Sequence, residues 1–350
     1  MNDLKDNNLE IRRSKYLVDK VIFIDGLAGC GKTLFSRIVS TFNRVELLSY
    51  GYEIEWICSL FYLNKISKDT AVGMIQLLTD LKLYDTMQSR NVNFRPSDLS
   101  SVWRDTKKWM YFQRLFQKGD EHTIKRIRKE KPILSITSHR ILGFSEPIFF
   151  GLNDRVLILN LLRHPLYMLI QNHLNMERLS VNNNPRQFSL TYSYNDHELY
   201  FWTKEWKDLY LKSNAIDRAI YYMVKLTEIR DSFIANNSTL HNQILTIPFE
   251  LFVLKPKPIL DKLEKFIGTK MSYKTRKVLK VQKVPRKKIS DGIPLAIYKR
   301  CGWEPPEKSF TEQQELDKRR DYALSQGASK DALNALDKIC QNYEENIWSP

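Results

Sequence analysis

Cysteine is scarce in this sequence of 350 residues, and its four cysteines lie far apart, at Cys30, Cys58, Cys301 and Cys340. They form no CxxC pair and no Cys/His spacing of the kind that binds zinc. A disulfide framework and a zinc site are therefore not expected, and the chain suits a reducing compartment.

Long apolar segments are also missing. The first sixteen residues, MNDLKDNNLEIRRSKY, lack the apolar core of a secretory signal peptide. No apolar run approaches the roughly 18 residues that a membrane-spanning helix needs. We therefore expect a cytoplasmic protein without a membrane span.

Acidic residues are few between Lys255 and Arg300, where fifteen lysines and arginines accompany three aspartates and glutamates. This segment carries a net charge of +12 out of the chain's +15. Such a charge concentrates anions near the protein. A solvated basic surface would explain it, and so would a site for a polyanionic nucleotide or an acidic glycan. Aromatic residues are few here and a known nucleic-acid-binding motif is missing, so nucleic acid is not favoured as a partner.

Four short apolar runs have the continuous hydrophobic pattern of strands that are buried on both faces. They are Val21–Ile24, Ile133–Ile136, Val156–Leu159 and Ile244–Ile247. Bulky residues at helical spacing predict six helices: Leu34–Phe42, Asp98–Gln117, Pro165–Arg178, Glu198–Lys212, Thr311–Gln326 and Ser329–Trp348. Buried strands that alternate with helices predict an α/β fold with a central parallel sheet flanked by helices. No Pro/Gly/Ser-rich linker divides the chain, so a single domain over residues 1–350 is expected.

The first predicted strand leads into Gly26-Leu-Ala-Gly-Cys-Gly-Lys32-Thr33, which fits the pattern G-x-x-x-x-G-K-[ST] and directly precedes a predicted helix. Glycines allow backbone N–H groups to turn towards a phosphate, the helix N-terminus adds its positive dipole end, and Lys32 adds a full charge. Because the motif, its order and its flanks all match, we interpret this glycine-rich loop as a site for a phosphorylated nucleotide rather than a simple tight turn.

A carboxylate that could orient magnesium is missing from the expected places. In kinases and related nucleotide hydrolases, such a carboxylate usually stands at the end of a second apolar strand. Here one candidate strand ends in Asn160 and Arg163, and the other ends in Thr137, Ser138 and His139. The sequence thus has a phosphate-binding loop without the obvious metal ligand.

This combination resembles the sulfotransferases that use 3'-phosphoadenosine 5'-phosphosulfate (PAPS), a family with a P-loop-containing nucleotide-binding fold that works without metal. Segment Val21–Arg37 resembles the family's 5'-phosphosulfate loop, and Thr137–His139 resembles the strand end where cytosolic members have Lys-Thr-His. Leu159–Pro165 is similar to the strand ending in Arg-x-Pro that binds the 3'-phosphate. Ile244–Leu251, followed by Leu260–Gly268, resembles the family's last strand, its Tyr-Glu-x-Leu turn and the next helix.

The resemblance implies an organisation for the rest of the chain. Nucleotide-binding elements are expected in residues 20–45, 132–172 and 244–290, with a helical insertion over 53–130 and C-terminal helices over 311–348. PAPS would be the co-substrate, 3'-phosphoadenosine 5'-phosphate the product, and no metal would be needed.

The resemblance also implies roles for individual residues. The loop residues expected to bind the 5'-phosphosulfate are Gly29, Cys30, Gly31, Lys32, Thr33 and Leu34. Arg163 is expected at the 3'-phosphate, although a guanidinium that caps a neighbouring carboxylate is an alternative. Gln171 takes the position of the family's serine, eight residues beyond the arginine, and Arg286 and Lys287 partly match its late Arg-Lys-Gly element. The family loop usually reads Ser-Gly-Thr-Thr, whereas here Lys32 lies inside the loop, as in kinases.

Three residues compete for the role of general base. His139 is the first candidate, because a neutral imidazole can accept the proton of the acceptor during attack. Glu53 and Glu55 follow the loop at about the distance where several glycan and tyrosyl sulfotransferases place a catalytic glutamate. A structural histidine at a strand end and a solvated helix start are the simpler explanations for these residues. Lys32 is expected to stabilise the leaving phosphate.

The sequence therefore predicts a sulfotransferase that moves a sulfuryl group from PAPS to a hydroxyl or amine of an unidentified acceptor, such as a glycan or a small molecule. A small-molecule or nucleoside kinase that uses ATP and magnesium is the main alternative, because Gly31-Lys32-Thr33 is typical of kinases. A non-catalytic protein that binds a nucleotide or nucleic acid is the second alternative. The acceptor and the oligomeric state are not predicted.

Overall fold

The computed structural model describes residues 9–178 and 188–348. Residues 1–8, which open the N-terminal segment considered above, lie outside the described residues. The strands are β1 (Val21–Asp25), β2 (Ser49–Tyr50), β3 (Leu134–Thr137), β4 (Val156–Leu162), β5 (Thr191–Tyr194), β6 (His197–Tyr200) and β7 (Ile244–Pro248). Five of them form one parallel sheet in the order β2-β3-β1-β4-β7, and β5 and β6 form a separate antiparallel pair. The predicted α/β fold with a central parallel sheet is confirmed.

The α-helices of the described residues fill the connections between the strands and the C-terminal part of the chain. They are α1 (Lys32–Val39), α2 (Tyr52–Tyr62), α3 (Lys68–Met87), α4 (Lys108–Arg114), α5 (Glu121–Glu130), α6 (Glu146–Leu152), α7 (Pro165–Arg178), α8 (Lys207–Lys212), α9 (Ala215–Asn236), α10 (Phe249–Leu254), α11 (Pro256–Ile267), α12 (Thr275–Val281), α13 (Ala296–Arg300), α14 (Glu312–Ser325) and α15 (Lys330–Asn346). Helices α2 to α5 fall in the segment predicted as a helical insertion.

The register of the three central strands determines what meets at one edge of the sheet. Every residue of β1, β3 and β4 is buried, as the continuous apolar runs predict. Ile24 of β1 pairs with Thr137 of β3 and with Leu159 of β4. Because the strands are parallel, the glycine-rich loop after β1, His139 after β3 and Arg163 after β4 all follow the same edge of the sheet.

Two of the predicted helices are wrong. The stretch Asp98–Gln117 contains a 3-10 turn at Val102–Arg104 and the short helix α4, instead of one long helix. The stretch Glu198–Lys212 begins in β6, continues as 3-10 turns over Phe201–Trp206, and is α-helical only in α8. In Glu198–Lys212 the aromatic side chains pack into the main hydrophobic core, so their spacing reflects tertiary burial and only imitates a helical period. Among the aromatic side chains of Asp98–Gln117, only Tyr111 and Phe112 join a hydrophobic cluster, whereas Trp103, Trp109 and Phe116 are exposed.

The other predicted helices are confirmed, with small differences at their ends. Helix α7 has the predicted bounds, and α1 ends at Val39 instead of Phe42. Helices α14 and α15 begin after Thr311 and Ser329, whose side chains accept hydrogen bonds from backbone N–H groups of the first turn.

The cysteines and the longer helices give two further findings. All four cysteines are free. None of the helices in the two described ranges has both the length and the apolar character that a bilayer crossing requires.

Helix α14 contributes Arg319 to the wall of a cavity at the strand ends, and a capping box fixes its first turn. The Thr311 side chain accepts from the Gln314 N–H at 3.2 Å, and the Gln314 side chain accepts from the Thr311 N–H at 2.8 Å. Further along, the Glu312 carboxylate accepts from the Tyr167 hydroxyl of α7 at 2.5 Å and from the Ile289 N–H at 3.0 Å. The start of α14 is therefore tied to two other walls of the cavity.

We expect Thr311→Ala to lower the free energy of unfolding by about 1 kcal/mol, as is typical when an N-cap acceptor is removed. Urea denaturation of the variant and of wild type measures the difference. Thr311→Ser is the matched control, because it keeps the accepting oxygen and should lose only a few tenths of that value. An equal loss in both variants would show that the methyl group of Thr311, and not its cap, stabilises the helix.

Candidate nucleotide and transfer site

The glycine-rich loop, Gly26–Thr33, joins β1 to α1 in a backbone conformation that requires glycine. Gly29 and Gly31 have φ angles of +86° and +98°, where side chains of L residues are strained. A Cβ atom at Gly31 would lie 2.3 Å from the ring of Phe249. The first N–H groups of α1 have no partner within the helix, and residues Gly31 to Leu34 line a cavity. The loop therefore presents a helix N-terminus to that cavity, which suits an anion.

Lys32 is buried and turned towards the carbonyl groups of its own loop. Its ammonium donates to the carbonyl oxygens of Gly26 at 2.6 Å and Leu27 at 2.8 Å, and only 7% of the residue is exposed. A lysine ammonium has three N–H donors, and the third is directed at the Cys30 thiol, which is a weak acceptor. The buried thiol of Cys30 lies 3.8 Å from the same ammonium. Burial raises the pKa of this thiol, and Cys30 is not among the residues that line the cavity.

Arg163 lines the same cavity, just after the end of β4. Its Nη1 atom donates to the carbonyl oxygen of Gly29 at 2.8 Å, and its guanidinium carbon lies 4.5 Å from the ring centroid of Phe249. The Nε atom is buried and has no hydrogen-bond partner among the described residues. Burial lowers the pKa of Arg163, and the nearby Glu250 carboxylate opposes that change. This side chain is a buried cation with donor capacity left over.

Glu250, the carboxylate near Arg163, is already engaged elsewhere. It is fully buried, it accepts from the His164 N–H at 3.0 Å, and it also accepts from the Tyr343 hydroxyl. No salt bridge joins Arg163 to a carboxylate within 4.0 Å in the described parts of the chain. The alternative role for Arg163, as a cap for a neighbouring carboxylate, therefore has little support from the contacts of Glu250.

Arg286 provides a second cation beside the ring of Phe249. Its guanidinium carbon lies 5.4 Å from the ring centroid of Phe249, and its Nη1 atom donates to the carbonyl oxygen of Ile289 at 2.9 Å. Its Nε atom is also buried without a partner among the described residues. Burial, together with the nearby charge of Arg163, lowers the pKa of Arg286 to about 10. The Asp291 carboxylate, which also lines the cavity, opposes this lowering of the Arg286 pKa.

The cavity has a volume of about 390 Å³, within the range of small-molecule and cofactor sites. Its walls come from the glycine-rich loop, the strand ends, α7, the segment from Arg286 to Trp303, and α14. The predicted site residues that line it are Gly29, Gly31, Lys32, Thr33, Leu34, His139, Arg163, Gln171 and Arg286. The predicted residues that do not line it are Cys30, Glu53 and Lys287, and Lys287 is exposed.

His139, which lines this cavity, is paired with Glu55. A single Glu55 oxygen accepts from the His139 backbone N–H at 3.0 Å and lies 3.0 Å from its Nδ1 atom. If Nδ1 carries the proton, Nε2 is an acceptor, and the imidazole side chain is 32% exposed while Glu55 is 14% exposed. The rings of Tyr50 and Tyr52 stack beside the imidazole, with centroids at 6.0 and 5.7 Å. The imidazole is thus oriented on one edge and open on another.

Glu53, two positions before Glu55 on α2, has a different environment. Its side chain is 48% exposed, and its carboxylate lies 3.7 Å from the Lys82 ammonium. The interpretation of Glu53 and Glu55 as a solvated helix start therefore holds for Glu53 and is wrong for Glu55, whose carboxylate contacts His139.

A buried carboxylate does stand at the end of β1, in a position that the strand-end argument did not consider. Asp25 is 2% exposed, and it accepts from the Ser138 hydroxyl at 2.8 Å and from the N–H groups of Ile141 and Leu142 at 3.0 and 2.9 Å. These bonds fix the turn that follows β3 and presents His139. No group of three or more His, Cys, Asp or Glu side chains suited to a metal ion occurs in the described ranges.

Several lining residues were not predicted from the sequence. Arg319 of α14 reaches the cavity, with its guanidinium carbon 4.7 Å from the ring centroid of Tyr167 and its Nη1 atom donating to Glu315 at 2.6 Å. Tyr298 and Trp303 line the wall that precedes α14. The capping box at Thr311 predicts where α14 begins, but no local pattern indicates that its Arg319 faces the nucleotide-sized cavity.

Comparison with known proteins adds little to this geometry. No protein-family model and no curated protein matches the chain. Among solved structures, the chain is similar to a sulfotransferase domain from the olefin synthase of Synechococcus PCC 7002, with a TM-score of 0.42 and 14% identity over 95% of this chain and 98% of that one. It is also similar to a sulfotransferase domain from the curacin biosynthetic pathway, with a TM-score of 0.42 and 12% identity over 92% and 98%. TM-scores of this size do not establish a shared fold, so the proposal below rests on the cavity.

Proposed function

We propose that this protein is a sulfotransferase that transfers a sulfuryl group from PAPS to a hydroxyl or amine of an acceptor. The observation that carries the proposal is the pair of arginines, Arg163 and Arg286, whose buried Nε atoms lack partners in the described structure beside a helix N-terminus that also faces the cavity. A ligand with two separate anionic groups would pair with both the helix N-terminus and the arginines. PAPS carries a 5'-phosphosulfate and a 3'-phosphate.

The residues around the cavity fit this ligand in a defined orientation. The N–H groups of Gly31 to Leu34 and the Lys32 ammonium would hold the 5'-phosphosulfate. Arg163, Arg286 and the Gln171 side chain would hold the 3'-phosphate, and a guanidinium can donate two parallel hydrogen bonds to it. The positive charge that a metal supplies in kinases would come from Lys32, Arg163 and Arg286.

The pair formed by His139 and Glu55 fits a role in the transfer step. His139 Nε2 would accept the proton of the acceptor hydroxyl or amine while Glu55 holds the opposite edge of the ring. The acceptor atom forms a bond to sulfur as the bond between sulfur and the 5'-phosphate oxygen breaks, so the phosphate takes the electron pair. Lys32 would stabilise the charge that develops on that phosphate.

The first test separates this proposal from a kinase. We expect 3'-phosphoadenosine 5'-phosphate to stabilise the protein in EDTA, since the cations of the site are side chains. At a concentration about a hundredfold above its dissociation constant, the bisphosphate should add roughly 2.7 kcal/mol of stability. A thermal-shift experiment measures this, with ATP and magnesium in a parallel sample.

The outcomes of this experiment discriminate the three functions. A strong shift with ATP and magnesium and none with the bisphosphate would support a small-molecule kinase. A shift with the bisphosphate, without turnover of PAPS against any acceptor in a panel of sugars, alcohols, phenols and amines, would support a non-catalytic nucleotide-binding protein. Sulfuryl transfer to a member of that panel would identify the acceptor class.

A further inference from the structure

Five large apolar side chains lie exposed on a surface outside the cavity. This surface, here called the aromatic patch, consists of Trp103, Trp109, Leu115, Phe116 and Tyr273. Trp109 is 65% exposed, Phe116 is 88% exposed and Tyr273 is 86% exposed. Aromatic side chains normally contribute strongly to cores and interfaces, and clustered exposure of this kind marks an interaction surface.

The part of the patch around α4 is held by packing underneath it. Phe112 lies with its ring centroid 5.1 Å from that of Trp103 and 5.7 Å from that of Trp109. The Trp103 indole N–H donates to the carbonyl oxygen of Phe94 at 2.9 Å. The exposed rings are therefore fixed outward on a small hydrophobic base that includes the fully buried Tyr111.

Tyr273 is joined to this part of the patch through its chain neighbour Lys274. The Lys274 ammonium donates to the carbonyl oxygen of Thr106 at 2.9 Å, and it lies 5.8 Å from the ring centroid of Tyr273. One lysine thus bridges the segment before α12 to the turn before α4.

The segments that form the patch are strongly basic. Residues 103–118 contain five lysines and arginines and one aspartate, and residues 273–280 contain four lysines and arginines and no acid, a net charge of +8. Arg114 pairs with the buried Glu46, and the Lys107 ammonium donates inward to the carbonyl oxygen of Phe42. The cations of these segments that are exposed are Arg104, Lys118, Arg276, Lys277 and Lys280.

This combination of apolar and basic groups fits a lipid surface better than a nucleic acid. The Lys108 ammonium lies 5.9 Å from the ring centroid of Trp103 and 5.5 Å from that of Trp109, so a base that stacked on either indole would compete with it. Leu115, which is 47% exposed, offers aliphatic volume that base stacking does not use. Indole and phenol rings favour the boundary between headgroups and acyl chains, and lysines and arginines beside them favour anionic headgroups.

We propose that the aromatic patch docks the protein on an anionic lipid bilayer, with Trp109, Phe116 and Tyr273 entering the headgroup region and the surrounding lysines and arginines contacting lipid phosphates and carboxylates. This binding is peripheral and reversible, because the apolar contact comes from a few side chains and the rest is electrostatic. It needs no part of the nucleotide cavity and is independent of the proposed activity.

Vesicle co-sedimentation tests the proposal with the full-length protein. Wild type should sediment with vesicles of phosphatidylcholine that contain phosphatidylserine, and sediment much less with pure phosphatidylcholine or at high salt, since exposed charges are screened. Trp109→Ala combined with Phe116→Ala should weaken binding roughly tenfold or more, because both lost side chains are almost entirely apolar surface. Arg276→Glu combined with Lys277→Glu should remove the preference for phosphatidylserine.

Leu77→Ala combined with Leu81→Ala is the matched control, because these leucines of α3 are 53% and 51% exposed and are not residues of the aromatic patch. This variant should bind vesicles like wild type. The proposal is overturned if wild type does not sediment with either vesicle, if the Trp109/Phe116 variant binds normally, or if the control loses binding equally. Binding of a single-stranded oligonucleotide that depends on Trp109 and Phe116, without vesicle binding, would identify a nucleic acid as the partner instead.

Discussion

Arg163→Ala should weaken the binding of 3'-phosphoadenosine 5'-phosphate by about 2–5 kcal/mol, as expected when one member of a buried, hydrogen-bonded charge pair is removed. Each 1.36 kcal/mol is tenfold in affinity, so the dissociation constant should rise roughly 30-fold or more. The physical reason is the free, buried donor of Arg163 beside a carboxylate that is already occupied by His164 and Tyr343. Calorimetric titration of wild type and variant measures the change.

Two controls make this result specific for the 3'-phosphate. Adenosine 5'-phosphosulfate lacks that phosphate, so its affinity should change little in the Arg163→Ala variant. Arg276→Ala removes an exposed arginine from the same basic segment as Arg286 and should leave the affinity for the bisphosphate nearly unchanged. Equal losses for both nucleotides would mean that Arg163 stabilises the glycine-rich loop through Gly29, or binds another part of the nucleotide.

His139→Ala should lower the turnover of PAPS by about 10²–10⁴-fold, the usual contribution of a general base. Nucleotide affinity should stay nearly unchanged, because His139 is expected to contact the acceptor. Glu55→Gln should lower turnover by a smaller factor, since an amide oxygen can still accept from the imidazole but no longer carries a charge to stabilise the imidazolium. Steady-state kinetics with a saturating acceptor measure both effects.

Glu53→Gln is the matched control for the catalytic pair. Glu53 lies two positions from Glu55 on α2, but it is half-exposed and contacts Lys82, so its variant should retain normal turnover. A large loss in Glu53→Gln with near-normal turnover in His139→Ala would transfer the role of base to Glu53. Normal turnover in both variants would mean that the acceptor is acidic enough to react without a base.

The sheet and the loop could be predicted from the sequence because their signals are local. The runs Val21–Ile24 and Val156–Leu159 are apolar at every position, and the structure buries them completely. The glycines of the loop are required by its φ angles and by the nearby ring of Phe249. The glycine positions in the sequence therefore predict the backbone conformation of the loop. The order of the strand ends then brings the loop, His139 and Arg163 to one edge of the sheet.

The rest of the site depends on contacts between residues that are distant in sequence. Glu55 and His139 are separated by 84 positions, and either could have been assigned as the base without knowledge that they touch. Arg319 faces the cavity only because α14 packs on α7 next to Tyr167. The stretch Glu198–Lys212 has bulky residues at helical spacing, yet it begins as a strand and continues as 3-10 turns. Its aromatic side chains are buried in the core by contacts with distant parts of the chain.

The central claim is that the cavity binds a 3',5'-bisphosphorylated nucleotide through side-chain cations. A crystal structure of the protein grown with 3'-phosphoadenosine 5'-phosphate in EDTA tests it most directly. We expect the 5'-phosphate within hydrogen-bonding distance of the N–H groups of Gly31 to Leu34, and the 3'-phosphate within hydrogen-bonding distance of Arg163 and Arg286. A nucleotide whose 3'-phosphate faces solvent, or one that occupies another surface, would contradict the claim.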